Sequence, residues 1–109
     1  MAYSEDLAER IRDVIGTPPQ LAEKVMFGGV GFMVQGNMAV GVIGDELMVH
    51  IDKAATDEAL TKPGARTFDF TGRPMKGWVM VGEPGISTEE GLNLWVQQGV
   101  EYASSLPAK

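Results

Sequence analysis

The 109-residue sequence has no cysteine, one histidine and no long apolar run. The absence of cysteine excludes disulfides, thiolate metal sites and cysteine nucleophiles. A single histidine excludes a metal site that takes several histidines from one chain. No apolar run approaches the ~20 residues needed to cross a bilayer, and the acidic start lacks the apolar core of a signal peptide. We therefore expect a cytoplasmic protein without a cofactor, a metal or membrane contact.

Positive charge is scarce as well. The sequence contains 9 Lys and Arg but 15 Asp and Glu, which gives a net charge of -6. This balance argues against a general polyanion binder, whose affinity depends on excess positive charge. Residues 62–76 are the exception and contain the candidate anion or nucleic-acid contacts Lys62, Arg66, Arg73 and Lys76. The other interpretation of this segment is a solvated loop whose cations pair with acids of the terminal helices.

The composition, with 44% hydrophobic and 22% charged residues, is typical of a globular protein. The length fits a single domain over residues 1–109.

Capping signals and apolar spacing predict a helix at each end of the chain. The first begins after Ser4, ends at Gly16 and carries one apolar stripe. The last begins at Ser87, with Glu90 completing a capping box, and ends at Pro107. Its predicted inner face consists of Leu92, Trp95, Val96, Val100 and Ala103.

Two hairpin signals, Gly36-Asn37 and Gly44-Asp45, predict strands over 30–35, 38–43 and 46–51. If both turns contain two residues, the register is fixed and side-chain alternation assigns the strand residues to two faces. One of these faces must be buried against helices. That face consists of Met33, Met38, Val40, Val42, Leu47, Val49 and Ile51. The opposite face is also largely apolar and consists of Val30, Phe32, Val34, Ala39, Gly41, Ile43, Met48 and His50.

A half-exposed antiparallel sheet has no need of a second apolar face, so either another element or another chain covers it. We therefore predict a dimer or protein contact through Phe32, Val34, Met48 and His50. The alternative is that the last helix covers this face within one chain.

The remaining segments complete the predicted fold. An earlier strand includes residues 24–27, and a short helix capped by Asp52 covers 53–61. Strands over 66–70 and 76–81 flank a turn at 71–74. The order is helix, three or four strands, helix, two strands, helix, which is an α+β fold with an antiparallel sheet packed with helices.

No residue set predicts catalysis. The glycines at 28 and 29 lead into a strand rather than the helix that a phosphate loop requires. His50 has no triad partner evident in the sequence. The paired acids Asp45-Glu46 and Glu89-Glu90 fall in a turn and in the first turn of a helix, so neither needs a catalytic explanation. A small-molecule enzyme or ligand site in a concave pocket near His50, Arg66 and Trp78 is a third hypothesis.

Several motifs resemble the TfoX/Sxy N-terminal domain. The segment Lys24–Val34 resembles the family's "K-x-MFGG-x-x-F" opening, and 36–39, 44–49 and 70–78 agree in order and spacing. The resemblance implies the fold seen in type III secretion chaperones, whose domains dimerise and bind other chains. The family's name comes from regulators of natural competence, in which this domain precedes a helical one. This chain, which ends at Lys109, resembles a stand-alone N-terminal domain, and no catalytic residues are implied.

We therefore expect a non-enzymatic regulatory domain that is homodimeric or binds an unidentified protein. The alternative is a nucleic-acid-binding regulator that uses residues 62–76.

Overall fold

The computed structural model describes residues 4–16, 21–26, 29–68 and 76–107. These residues form three α-helices and six strands, with a short 3-10 helix (Lys53–Ala55) before the second α-helix. The helices are α1 (Glu5–Ile15), α2 (Thr56–Ala59) and α3 (Glu89–Ser105). The strands are β1 (Leu21–Met26), β2 (Gly29–Val34), β3 (Asn37–Ile43), β4 (Glu46–His50), β5 (Ala65–Thr67) and β6 (Trp78–Val81).

The strands form one antiparallel sheet in the order β1-β2-β3-β4-β6-β5. Buried side chains of α1, α2 and α3 join a single apolar cluster with one face of this sheet, which we call the helix face. Its sheet members are Val30, Phe32, Val40, Val42, Leu47, Val49, Val79 and Val81. The structure therefore confirms the predicted α+β fold. None of the helices described is both long and apolar enough to span a bilayer.

Local capping explains where the long helices begin and end. The Ser4 hydroxyl accepts a 3.2 Å hydrogen bond from the Leu7 N–H, and Gly16 ends α1 with a φ of 76°, as predicted. The cap of α3 lies one residue later than predicted, because Thr88 rather than Ser87 is the capping residue. The Thr88 hydroxyl accepts from the Gly91 N–H at 3.0 Å. The predicted inner face of α3 is confirmed, with Leu92, Trp95, Val96 and Ala103 buried and Val100 packed against them.

The hairpin between β2 and β3 differs from its prediction. Gln35 and Gly36 have positive φ angles of 53° and 84°, so the turn lies one residue earlier than Gly36-Asn37. The register then shifts: Met33 pairs with Met38 but Phe32 pairs with Val40, which leaves Ala39 as an extra residue in β3. One extra residue in β3 shifts its pairing with β2 by one position. Because successive side chains alternate between the two faces of a strand, this shift exchanges the faces of β2.

This bulge corrects the predicted face assignment. Val30, Phe32 and Val34 lie on the helix face, and Ala39 packs with Ala103 of α3. Strand alternation places Met33 and Met38 on the opposite face instead. The assignments of the remaining residues of β3 and β4 are correct, because the turn at Gly44-Asp45 pairs Ile43 with Glu46 as predicted.

The later strands are shorter than predicted. β5 ends at Thr67 and β6 begins at Trp78, and the predicted turn at 71–74 lies outside the described residues. The Asp52 side chain caps the 3-10 helix, as predicted, by accepting from the Ala54 N–H at 2.8 Å. The buried Thr56 hydroxyl accepts from the Gly77 N–H at 2.8 Å and so ties α2 to the start of β6.

Candidate interaction surface

The sheet face opposite the helices carries a row of residues across four strands. Gly41 lies opposite Met48, Met48 opposite Met80, and Met80 opposite Arg66. A Cβ added to Gly41 would lie 3.0 Å from the Cε of Met48, so the methionine covers the glycine. Met48 and Met80 are each only 3% exposed. The centre of this face is thus apolar and closely packed.

Next to this row, four half-buried aromatic side chains form what we call the aromatic cluster: His50, Phe68, Trp78 and Tyr102. His50 and Trp78 lie opposite each other on β4 and β6, and their rings stack with centroids 4.0 Å apart. The Tyr102 ring, from α3, is perpendicular to the His50 ring with centroids 4.9 Å apart, and the ring centroids of Phe68 and Trp78 are 6.3 Å apart. Sheet and helix therefore both contribute to one aromatic surface.

A hydrogen bond fixes the orientation of the His50 ring. Its Nδ1 lies 2.9 Å from the carbonyl oxygen of Met38. A carbonyl can only accept, so Nδ1 is the nitrogen that donates in this contact. With one ring nitrogen bonded to the backbone and one ring face on Trp78, the imidazole supports the aromatic cluster.

The four residues predicted to form a partner surface do not share one accessible face. Phe32 is fully buried and Val34 is 8% exposed, both beneath the helices, because the bulge at Ala39 exchanged the faces of β2. Met48 lies on the opposite face but is buried, and His50 is half-buried in the aromatic cluster. Sequence reasoning missed Phe68 and Tyr102, since only the paired strands and the docked α3 bring them to His50.

The predicted cations have separate environments. Arg66 forms an ion pair with Glu46, and Lys76 Nζ lies 4.0 Å from Asp57 Oδ2. Lys62 is exposed beside α3, and Arg73 lies outside the described residues. Nucleic-acid binding through these residues stays a prediction.

His50, Arg66 and Trp78, grouped in the third hypothesis, do lie near one another. Arg66 is opposite Met80, two positions along β6 from Trp78, and alternation places both on the face opposite the helices. The Glu46 carboxylate engages the Arg66 guanidinium there. The arrangement joins an aromatic surface to an ion pair across the same strands.

Two grooves flank the sheet. The first, about 740 Å³, lies between the start of α1 and the ends of β5 and β6. Arg10 in its wall donates to the Ile86 carbonyl at 2.9 Å and to Glu89 at 3.0 Å. The protein's own oxygens therefore already engage Arg10, as Glu46 engages Arg66 on the other side of this groove.

The second groove, about 560 Å³, runs beside the first half of α3, and we call it the α3 groove. Its lining includes Pro63, Pro84, Leu94 and Trp95, with Lys62 as a charged member. It is the more apolar of the two grooves.

Comparison with known families matches residues 14–103 to the TfoX N-terminal domain. The match runs from α1 to α3 and includes the whole sheet. The chain belongs to the TfoX N-terminal domain family. This is a family of regulatory rather than catalytic type. Comparison with curated proteins found no match, and neither did comparison with solved structures. All named members of the aromatic cluster and of the α3 groove of this TfoX N-terminal domain fall within the matched residues.

Proposed function

We propose that this TfoX N-terminal domain is a non-catalytic regulatory domain that binds a second copy of itself through the aromatic cluster. The observation that carries the proposal is the gathering of four half-buried aromatic rings from β4, β6, α3 and the residue after β5.

The chemistry of the cluster favours a protein partner. Tryptophan and tyrosine dominate the energetic centres of protein interfaces, because a large rigid ring covers much area with few rotatable bonds. Trp78 is already stacked on His50, and His50 is bonded to the backbone of Met38. Side chains held in this way lose little conformational freedom on binding, which lowers the entropic cost of association.

Charge supports a second copy as the partner. Two chains with a net charge of -6 repel one another, so they can associate only where the local charge is balanced. Six charged residues lie within three sequence positions of a cluster member: Asp52, Lys53, Arg66, Asp69, Lys76 and Glu101. Three are positive and three are negative, so the sequence neighbours of the cluster carry no net charge.

The environment of His50 supports a non-catalytic role. A general acid or base needs a ring nitrogen within reach of a substrate proton. In His50 the Nδ1 bonds to the Met38 carbonyl, Trp78 covers one ring face and Tyr102 packs against the ring. These contacts suit a ring with a packing role, not one that exchanges protons with a substrate.

Sedimentation equilibrium over about 5–200 µM tests the proposal, a range that brackets a micromolar Kd. We expect a reversible dimer that Lys76→Glu weakens, because like charges would then face each other beside the cluster. Lys24→Glu is the matched control, since it makes the same charge change at an exposed residue of β1, at the far edge of the sheet. A monomer at every concentration, or equal weakening by both variants, would overturn the proposal.

A second measurement separates protein from nucleic acid. Fluorescence anisotropy with a labelled single-stranded oligonucleotide at low salt should show no binding to the wild-type protein. Salt-dependent binding that Lys76→Glu removes would instead assign residues 62–76 to nucleic acid and overturn the protein-binding proposal.

A further inference from the structure

We infer that the α3 groove is a second binding site, and that it takes an extended peptide with an apolar side chain next to a carboxylate. The inference does not depend on the aromatic cluster. Leu94 in the groove and Tyr102 in the cluster are eight residues apart on α3, about 12 Å along the helix axis.

The groove has the size and lining of a binding site. Its volume of about 560 Å³ falls within the range of small-ligand and peptide pockets. Leu94 in its wall is 68% exposed, and among the described residues only Val25 is a more exposed large hydrophobic side chain. Trp95 lies beneath, only 5% exposed. An apolar side chain that binds there would remove Leu94 from water, which is favourable.

Backbone contacts make the groove rigid. A Cβ added to Gly91 would lie 2.5 Å from the Gly85 carbonyl oxygen, and one added to Gly85 would lie 2.7 Å from the Pro63 carbonyl oxygen. The loops before β5 and α3 therefore pack against each other and against α3 without intervening side chains. Pro63 and Pro84 further restrict these loops. A groove that is already formed costs little entropy to occupy.

Charge indicates which peptide would bind. Among the residues that the structure describes, Lys62 is the one charged side chain lining the groove, in a chain that is otherwise acidic. It is exposed, and among the described residues it takes part in none of the ion pairs found. A ligand carboxylate beside the apolar side chain would therefore find a complementary charge.

The length of the groove favours a peptide. It extends along α3 from Thr88 to Gln98, about 15 Å at the rise of an α-helix. An extended peptide of four or five residues covers about the same distance.

The two tryptophans of the chain allow a direct test, because Trp95 lies in the groove and Trp78 in the aromatic cluster. The probes are six blocked tetrapeptides, Ser-X-Asp-Ser and Ser-X-Lys-Ser, with Leu, Phe or Trp at X. Each is titrated to about 5 mM, well above the millimolar Kd that so small a contact gives, while the indole N–H signals are followed by NMR.

We expect at least one Asp peptide to shift the Trp95 signal saturably while the Trp78 signal stays in place. Lys62→Glu should abolish this shift, whereas Lys53→Glu, the same charge change at an exposed residue outside the groove, should leave it unchanged. Leu94→Ala should weaken binding about fivefold or more, as expected from the lost apolar contact.

Three results would overturn the inference. The first is no saturable Trp95 shift with any Asp peptide, and the second is equal binding of the Lys peptides. The third is a Trp95 shift that follows protein concentration without peptide, which would place a second copy in the groove. A shift of Trp78 with protein concentration alone would bear only on the proposed self-association.

Discussion

The imidazole of His50 lies parallel to the indole of Trp78, with ring centroids 4.0 Å apart and ring planes at 5°. The two residues face each other across β4 and β6, which are separated in the sequence by a helix and by β5. Cross-strand pairs are the local units that stabilise a sheet. This stack therefore stabilises a strand pairing that no hairpin turn enforces.

Replacing Trp78 should test the contribution of the stack. We expect Trp78→Ala to lower the free energy of unfolding by about 1–3 kcal/mol, because a half-buried ring loses its contacts with His50 and Phe68. Trp78→Phe keeps an aromatic ring and should cost less than half as much. Urea denaturation followed by circular dichroism measures both, and an unchanged midpoint for Trp78→Ala would show that the stack adds no stability.

Gly99 should tolerate no side chain, although alanine is ordinarily the better helix former. An added Cβ would lie 2.5 Å from the Ala39 carbonyl oxygen and 2.7 Å from Val40 Cγ1, so α3 would have to move away from β3. We expect Gly99→Ala to destabilise the fold by about 1–3 kcal/mol. Ser104→Ala, at an exposed position of α3, is the control and should change thermal stability by less than about 0.5 kcal/mol. A stabilised Gly99→Ala variant would contradict the close approach.

The Arg12–Glu23 pair should make stability depend on pH. Hydrogen bonds from the Arg12 guanidinium, at 2.8 Å, lower the pKa of Glu23 below its ordinary value of 4.5. Because the folded pKa is the lower one, the ionised carboxylate adds stability above about pH 4.5. That stability is lost as the pH falls through the folded pKa.

Urea denaturation at several pH values checks this expectation. The stability difference between wild type and Glu23→Gln should be largest near neutral pH and should shrink in acid. Arg12→Gln removes the same interaction, and its difference from wild type should follow the same trend. If the stability difference between wild type and Glu23→Gln did not change with pH, the ionisation of Glu23 would not be coupled to folding.

Asn37 should anchor the end of the chain's last helix. Its side chain is 3% exposed, and its Nδ2 donates a 2.9 Å hydrogen bond to the Pro107 carbonyl. Asn37→Asp has the same shape but cannot donate, so we expect a loss of about 1–3 kcal/mol. Hydrogen exchange over residues 103–106 should also accelerate. Asn93→Asp, at an exposed position of α3, is the control and should change neither the stability nor the hydrogen exchange. Unchanged exchange in Asn37→Asp would show that this hydrogen bond does not hold α3 in place.

Much of the fold follows from local signals in the sequence. Ser4 and Gly16 bound α1 because a hydroxyl cap and a positive φ act within one turn of the helix. The turn at Gly44-Asp45 sets the register of β3 and β4 in the same local way. The apolar spacing of α3 identifies its buried face.

The faces of β2 could not be predicted in this way. Ala39 forms the bulge while packed against Ala103 of α3, and the backbone there approaches Gly99 closely. This contact joins residues about sixty positions apart, so no local sequence pattern predicts it. The aromatic cluster was missed for a related reason, because Tyr102 reaches His50 only once α3 has docked on the sheet.

The strand order also constrains the sequence of folding events. β6 lies between β4 and β5, so β5 has no place in the sheet until β6 has paired. The first four strands close over short connections, whereas the β4–β6 pair must close a loop from His50 to Trp78. The β5–β6 pair closes a shorter loop, from Thr67 to Trp78, so we expect these two strands to pair first and to join β4 together. In the folded protein β5 is a three-residue edge strand, and its local release would expose the edge of β6 to intermolecular strand pairing.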